Sequence, residues 1–230
     1  MNDNSSFFFD WSTPISHLPD LLQAALITMA LTIVAFVLQI VIGAFLGYIR
    51  YRKKPKIAYR IVTVFVEIFR NTPLLVQIFM IYFGLPQIGI YLNNYVAGIL
   101  ALVLNGSAYS CEMFRAGIQS IDVGQWEAGK CVGLTRMRIF LDIISPQALR
   151  NIFPALINEF VGAMYATTLL SSLDVRELTD VTTITATNTF RTFEMYTFAI
   201  IIFYVLSNVS TFILRKVNVK YFPSVSSKGE

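Results

Sequence analysis

The chain has 230 residues, of which 55% are hydrophobic and only 14% charged. Soluble domains carry about 25% charged residues, so the composition excludes an ordinary water-soluble globule and indicates a membrane protein. The net charge is +4, but its basic residues gather at the ends of apolar stretches, which argues against a nucleic-acid partner; Cys111 and Cys131 lack any CxxC or zinc-like spacing and read as small packing residues.

A membrane-crossing helix needs about 20 mainly apolar residues. Five stretches qualify: 21–49, 61–83, 95–114, 152–173 and 193–214. The first follows Pro19-Asp20, a plausible helix start, and is long enough to tilt or to extend past the bilayer. Five crossings put the termini on opposite sides. One side collects Arg50, Arg52, Lys53, Lys54, Lys56, Arg60, Arg115, Lys130, Arg136, Arg138, Arg150, Arg215, Lys216, Lys220 and Lys228. The other holds Arg176 and Arg191, with Arg70 inside a span. The positive-inside rule therefore predicts an N-terminus outside and a C-terminus in the cytoplasm. Residues 1–20 then form an extracytoplasmic segment with no Lys or Arg, hence no signal-peptide n-region. Its Phe7, Phe8, Phe9 and Trp11 suit the outer interface.

Charged side chains at membrane depth normally face protein or water, so their neighbours at helical spacing are informative. In the second stretch Glu67, Arg70, Asn71, Leu74 and Gln77 share one stripe, and Pro73 is expected to kink or interrupt the helix. Mutual neutralisation of Glu67 and Arg70 is favoured over a direct role for them in binding. In the third, Gly98, Ala101, Leu102, Asn105, Ala108, Tyr109 and Glu112 form a largely packing face, with Asn105 as an interhelical hydrogen bond or a pathway residue. In the fourth, Glu159, Gly162, Ala163, Ala166, Thr167 and Leu170 share a face. A carboxylate above small and hydroxylated residues can line a cavity and take an ammonium or guanidinium by charge-assisted hydrogen bonds. The alternative, of equal weight, is a helix contact in which Glu159 pairs with Arg70 or a backbone donor.

Between the third and fourth spans, Gly124 to Cys131 reads G-x-x-x-x-G-K-C. A phosphate-binding P-loop follows a buried strand and ends in Ser or Thr. Here a membrane helix precedes the run and Cys131 takes the hydroxyl position, so the chain itself is not expected to hydrolyse ATP. Alone, the segment would also suit an amphipathic interfacial helix anchored by Trp126.

Taken together, several runs identify a family resemblance. They are Leu-Leu-Gln-Ala-Ala-Leu-Ile-Thr at 21–28, Phe-Arg-Asn-Thr-Pro-Leu-Leu-Val-Gln at 69–77, Tyr-Phe-Gly-Leu-Pro at 82–86 and Asn-Gly-Ser-Ala-Tyr at 105–109. Phe-Arg-Ala-Gly-Ile-Gln-Ser-Ile at 114–121, Gly-Gln-Trp-Glu-Ala-Gly-Lys-Cys-Val-Gly at 124–133 with Pro146, and Asn-Glu-Phe at 158–160 complete the series. In order and spacing they resemble the type I ABC importer permeases of the polar amino acid group, and the 124–133 run resembles their "EAA" loop. The resemblance implies an all-α integral membrane protein of the type I (MetI-like) fold, with about five transmembrane helices. It divides the chain into the segment 1–20, a permease domain 21–214 with a cytoplasmic coupling loop at about 116–148, and a cytoplasmic tail 215–230.

The resemblance also implies the partners. Two permeases, identical or related, enclose one pathway in the cytoplasmic (inner) membrane, two ABC ATPase subunits bind their loops, and an extracytoplasmic solute-binding protein delivers a polar amino acid. ATP and magnesium are used by the ATPase, and no cofactor by this chain. Coupling falls to Glu127, Ala128, Gly129, Gly133 and Pro146, with Glu127 meeting a basic groove on the partner, Gly133 turning the chain and Pro146 fixing re-entry into the fourth span. The candidate pathway residues are Glu159, Asn158, Thr167, Arg70 and Asn105. The chain departs from the family pattern at Gly129, where a second Ala is usual, at Ser145, where Leu commonly precedes the Pro, and at Tyr165, where Lys is frequent. Loss of that Lys leaves Glu159 freer for a cationic substrate, which leans the expectation towards a basic amino acid.

Two other functional classes compete with this one. An intramembrane hydrolase or transferase is disfavoured because His17 is the single histidine and lies outside the spans. An ATP-independent channel or ion-coupled carrier would need oligomerisation, since the chain carries no evident inverted repeat.

Overall fold

A computed structural model describes residues 9–221, all of whose regular elements are helical. Phe7, Phe8, Lys228 and the rest of the tail beyond Tyr221 lie outside the described residues. A short helix α1 (Ser12–Ser16) leads into α2 (Leu18–Arg52), and Lys53 at φ 54° ends α2. Pro19 in the first turn of α2, Asp20 beside it and Arg50 and Arg52 in its last turn suit the helix dipole at both ends. At about 1.5 Å per residue, α2 is roughly 52 Å long, well beyond the about 30 Å hydrocarbon core. Among the described residues, four stretches are long and apolar enough to cross a membrane: Leu18–Arg52, Asn94–Gln119, Arg136–Leu173 and Thr192–Tyr221. A bent pair, Lys56–Arg70 with Leu74–Ile88, makes a fifth when counted as one span.

That pair, α3 (Lys56–Arg70) and α4 (Leu74–Phe79), turns through 109° at Asn71–Pro73, so the interruption expected at Pro73 is a sharp corner rather than a kink. A residue before proline is driven out of the helical region, and the corner leaves the last carbonyls of α3 without helical partners. Side chains supply them. Gln77 Nε2 donates to the Phe69 carbonyl (3.0 Å), the Thr72 carbonyl (3.1 Å) and Thr72 Oγ1 (2.8 Å). Asn105 Nδ2, from α5 (Asn94–Gln119), donates to the Phe69 carbonyl (2.9 Å) and to Gln77 Oε1 (3.1 Å). The expected Glu67–Arg70 pair does not form: Glu67 Oε2 accepts from Asn71 (3.2 Å), while the Arg70 guanidinium lies 5.3 Å from the centre of the Tyr109 ring. The tighter turn at the corner draws Asn71 back onto Glu67 and leaves Arg70 facing α5.

The long helices α2 and α5 run side by side as the centre of the bundle. Gly43 and Gly47 of α2 face Ser110 and Cys111 of α5, and Ala35 packs among Ala97 and Ala101, which lets the backbones approach closely. Glu112 on α5 is held between Arg50 at the end of α2 and Arg115, whose Nη2 lies 2.6 Å away. Beyond α5 come α6 (Val123–Cys131) and then α7 (Arg136–Arg138), which a π-helical stretch, Ile139–Ile144, joins to α8 (Ser145–Ala166). Pro146 was expected to fix re-entry into the fourth span. Pro146 sits in the first turn of α8, where its missing N–H is absorbed by the looser π ladder before it.

A 3₁₀ stretch, Thr167–Leu173, then leads to α9 (Leu178–Thr189) and α10 (Thr192–Tyr221). Leu21, Ala24, Leu178 and Met195 form the core at this end of the bundle. Phe9 and Trp11 pack on Phe193 and Phe198 of α10, and Asp10 meets Arg191 (3.9 Å) and Glu194. At the opposite end Ile118, Ile139, Ile144 and Ala148 form a second core under Tyr51 and Trp126.

Candidate functional site

The first candidate region is α6, which projects from the end of the bundle between α5 and α7. Asp122 caps it by accepting from the Gly124 amide (2.6 Å), and Trp126 ties it down, stacked on Tyr51 of α2 at 6.3 Å with the Arg136 guanidinium 6.0 Å from its ring. Glu127 and Ala128 are exposed on the outer side of α6, whereas Gly129 is buried. A Cβ at Gly129 would stand 2.7 Å from Ile139 Cγ1 and 3.2 Å from Ile139 Cγ2, so the departure from the usual alanine follows from the isoleucine packed against it. The helix ends in a Schellman motif. Gly133, at φ +77°, donates to the Lys130 carbonyl (2.9 Å), and the Leu134 amide donates to the Gly129 carbonyl (3.1 Å). The G-x-x-x-x-G-K-C run thus lies on a capped helix that follows a helix, not in the strand-to-helix loop that cradles phosphate.

The second region is a cavity of about 190 Å³ among α2, α4, α5 and α8. Its polar lining is Gln39, Asn105, Tyr109 and Glu159, and Leu74, Leu102, Gly106, Gly162, Ala163 and Ala166 complete the wall. Phe160, edge-on to Phe36 at 5.1 Å, and the fully buried Met164 hold α8 against the bundle, which turns Glu159 inward. Glu159 Oε1 accepts from Gln39 Nε2 at 3.4 Å, and among the described residues Oε2 accepts no hydrogen bond. Glu159 therefore pairs neither with Arg70 nor with a backbone donor, but with an amide from α2.

The other sequence candidates divide. Asn105 lines the cavity with its amide hydrogens engaged at the α3–α4 corner. Arg70 lies beside the cavity, over the ring of the lining residue Tyr109. Asn158 is exposed on another face of α8, and Thr167 is fully buried with its hydroxyl donating to the Met164 carbonyl (2.7 Å). Neither lines the cavity. Tyr165 packs edge-on against Phe203 of α10 at 6.3 Å, six residues and a different helix face from Glu159, so the departure there does not bear on that carboxylate. Sequence reasoning missed Gln39. The available signal was an amide in the middle of an apolar helix, far from either end of α2.

Residues 39–220 match the family described as binding-protein-dependent transport system inner membrane component. The chain is 37% identical over 201 residues to the probable amino-acid permease protein YxeN of Bacillus subtilis, covering 86% of this chain and 89% of that protein. It is 31% identical over 212 residues to the arginine transport system permease protein ArtQ of the same organism, covering 92% and 96%. With the putative glutamine transport system permease protein GlnP of Rickettsia bellii it shares 34% over 206 residues, covering 89% and 94%. Among solved structures, an amino acid ABC transporter crystallised with histidines matches with a TM-score of 0.85 at 32% identity, over 93% of this chain and all of that one. The chain therefore belongs to the family of inner-membrane components of binding-protein-dependent transport systems, as a multi-pass, non-catalytic permease subunit.

Proposed function

We infer that this chain is the permease subunit of an ABC importer that carries a polar amino acid, with a preference for cationic ones, across the cytoplasmic membrane. The observation that carries the substrate reading is Glu159, a carboxylate within the fourth span that lines a cavity and has, among the described residues, one oxygen that accepts no hydrogen bond. Such a group suits an ammonium or guanidinium. Relatives named for arginine and glutamine transport support the class of substrate. The cavity of about 190 Å³ is below the about 300–1,000 Å³ usual for a small-ligand site, which fits a half-site completed by a second permease, identical or related. Arg70, beside Tyr109, is the cation placed to meet a substrate carboxylate.

ATP and magnesium belong to separate ATPase subunits, which grip α6, and a solute-binding protein delivers substrate from the side of the N-terminus and α9. Glu127 and Ala128 offer the ATPase an exposed face, Gly129 and Gly133 fix that face to the bundle, and Pro146 lies in the helix that continues from it. This assigns residues 1–20 to the outside, 116–148 to the coupling region and the tail from 215 to the cytoplasm.

The test is uptake by the complete importer reconstituted in liposomes, with arginine and glutamine as probes. Glu159→Gln is expected to lower arginine uptake about tenfold while ATP hydrolysis persists. Glu127→Lys is expected to abolish uptake of both by releasing the ATPase. ATP-independent uptake by the permease alone would refute the importer reading, and unchanged arginine preference in Glu159→Gln would refute the substrate reading.

A further inference from the structure

A buried amide in a membrane helix is costly unless both its ends are satisfied or tightly packed. Gln39 is such a group, 2% exposed and near the middle of α2, between the exposed Val37, Leu38 and Val41. Its side chain does not run along its own helix. It crosses the α2–α5 seam, with Oε1 occupying the space where a Cβ on residue 106 would be; that Cβ would lie only 1.7 Å from the oxygen and 2.4 Å from Cδ. Gly106 is thus the condition for Gln39 to lie where it does. The amide's other end, Nε2, reaches α8 and donates to Glu159 Oε1. Three helices therefore converge on one side chain, and the residue it holds is the cavity's carboxylate.

We propose that Gln39 is a positioning residue: wedged against Gly106, its amide fixes Oε1 of Glu159 so that the remaining oxygen faces the cavity, and this sets the importer's preference for a cationic amino acid. The proposal rests on the reading that Glu159 receives the cationic group. Simple interhelical glue would not require this arrangement. A glutamine bonded to a backbone carbonyl would join α2 to α5 just as well, and would leave residue 106 free to carry a side chain. Here the donor goes to the cavity's carboxylate, which among the described residues has no other hydrogen-bond donor to set its rotation. Losing one hydrogen bond to a charged group, and with it that fixed orientation, weakens cation binding selectively.

The test uses the purified importer complex, with arginine and glutamine as labelled ligands in equilibrium binding and thermal unfolding measured in parallel. Gln39→Leu is expected to weaken arginine binding about tenfold, equivalent to about 1.4 kcal/mol, and glutamine binding less than twofold. Gly106→Ala, which leaves Gln39 present but evicts its amide, is expected to reproduce that selective loss. If Gln39→Leu fails to assemble, Gln39→Met, an unbranched apolar near-isostere, carries the same comparison. An unchanged ratio of arginine to glutamine affinity in folded Gln39 and Gly106 variants, while Glu159→Gln lowers it, would overturn the positioning role and leave the substrate reading standing. A ratio unmoved in Glu159→Gln as well would overturn both.

Discussion

Gly133 offers the cleanest test of the projecting helix, because its backbone and its surroundings separate two causes that are usually mixed. Its φ of +77° is a left-handed conformation, and a Cβ built there meets nothing within 4 Å. A substitution therefore adds backbone strain without a steric clash. For an L-residue that strain is about 1–2 kcal/mol, which shifts the balance between the capped and frayed ends of α6 by a factor of about 5–30. The bonds at stake are Gly133 N–H to the Lys130 carbonyl and Leu134 N–H to the Gly129 carbonyl. Asparagine tolerates the left-handed region, alanine less so and β-branched valine least. Hydrogen exchange at Leu134 in the importer complex is expected to rise in the order Gly, Asn, Ala, Val, with Ala about 5–30-fold above Gly. Amino acid transported per ATP hydrolysed is expected to fall in the same order. Equal exchange and equal coupling in Ala, Val and wild type, or Asn as damaging as Val, would refute the argument that the cap holds α6 in its working form.

At Gly129, alanine is expected to cost about 1–3 kcal/mol by overpacking against the buried Ile139, and the double variant with Ile139→Ala to lose less than the two singles together; thermal unfolding of the four proteins reads the coupling, and strict additivity would sink it. Gln77→Leu removes the three hydrogen bonds that Gln77 donates at the α3–α4 corner, leaving Asn105 on the Phe69 carbonyl, and is expected to destabilise the protein by about 1–3 kcal/mol, seen as a lower unfolding midpoint in detergent; an unchanged midpoint would mean that the corner is held otherwise. Glu177, beyond the fourth span at the start of α9, is buried, and burial pushes its carboxyl up from 4.5 to about 7. The folded state then holds the proton more tightly than the unfolded state, so this contribution is complete below about pH 4.5 and is lost as pH rises through about 7. Wild-type stability is expected to fall over that window relative to Glu177→Gln, and parallel profiles for the two would refute it.

How far the sequence could be read follows from the range over which each signal acts. The spans were legible because apolar length is a local property: stretches 21–49, 95–114 and 193–214 lie inside α2, α5 and α10. The corner at Pro73 was legible in kind, since proline and the residue before it are restricted locally, but its 109° depends on donors from Gln77 and Asn105. The Glu67–Arg70 pairing failed because helical spacing put the two within reach but the corner drew Asn71 onto Glu67. Pro146 lies in the first turn of α8, behind a π stretch that nothing local in the sequence signals. At the cavity, the face carrying Glu159, Gly162, Ala163 and Ala166 was readable from periodicity, whereas Thr167 is carried off that face as the chain tightens to 3₁₀. Gln39 could not be placed, because its meaning lies in Gly106 and Glu159, two other helices away.

The same geometry links the two candidate regions without any special wire between them. The helical run Arg136–Leu173 carries Ile139, on which Gly129 rests, and Glu159, twenty residues and about 30 Å further along one rod. On the other flank α5 runs from the cavity residues Asn105, Gly106 and Tyr109 down to Ser120, where the connection to α6 begins. A displacement of α6 by a partner therefore loads both walls of the cavity at once, since packed helices move as rigid bodies more readily than they stretch. The π stretch Ile139–Ile144 is the looser part of that rod, and it lies directly under the contact with Gly129. The seat of Gly129 on Ile139 is therefore the contact through which a displacement of α6 reaches this run of helix. On this argument Gly129 and Ile139 are matched parts, and exchanging the glycine without its isoleucine is expected to disturb the cavity from about 30 Å away.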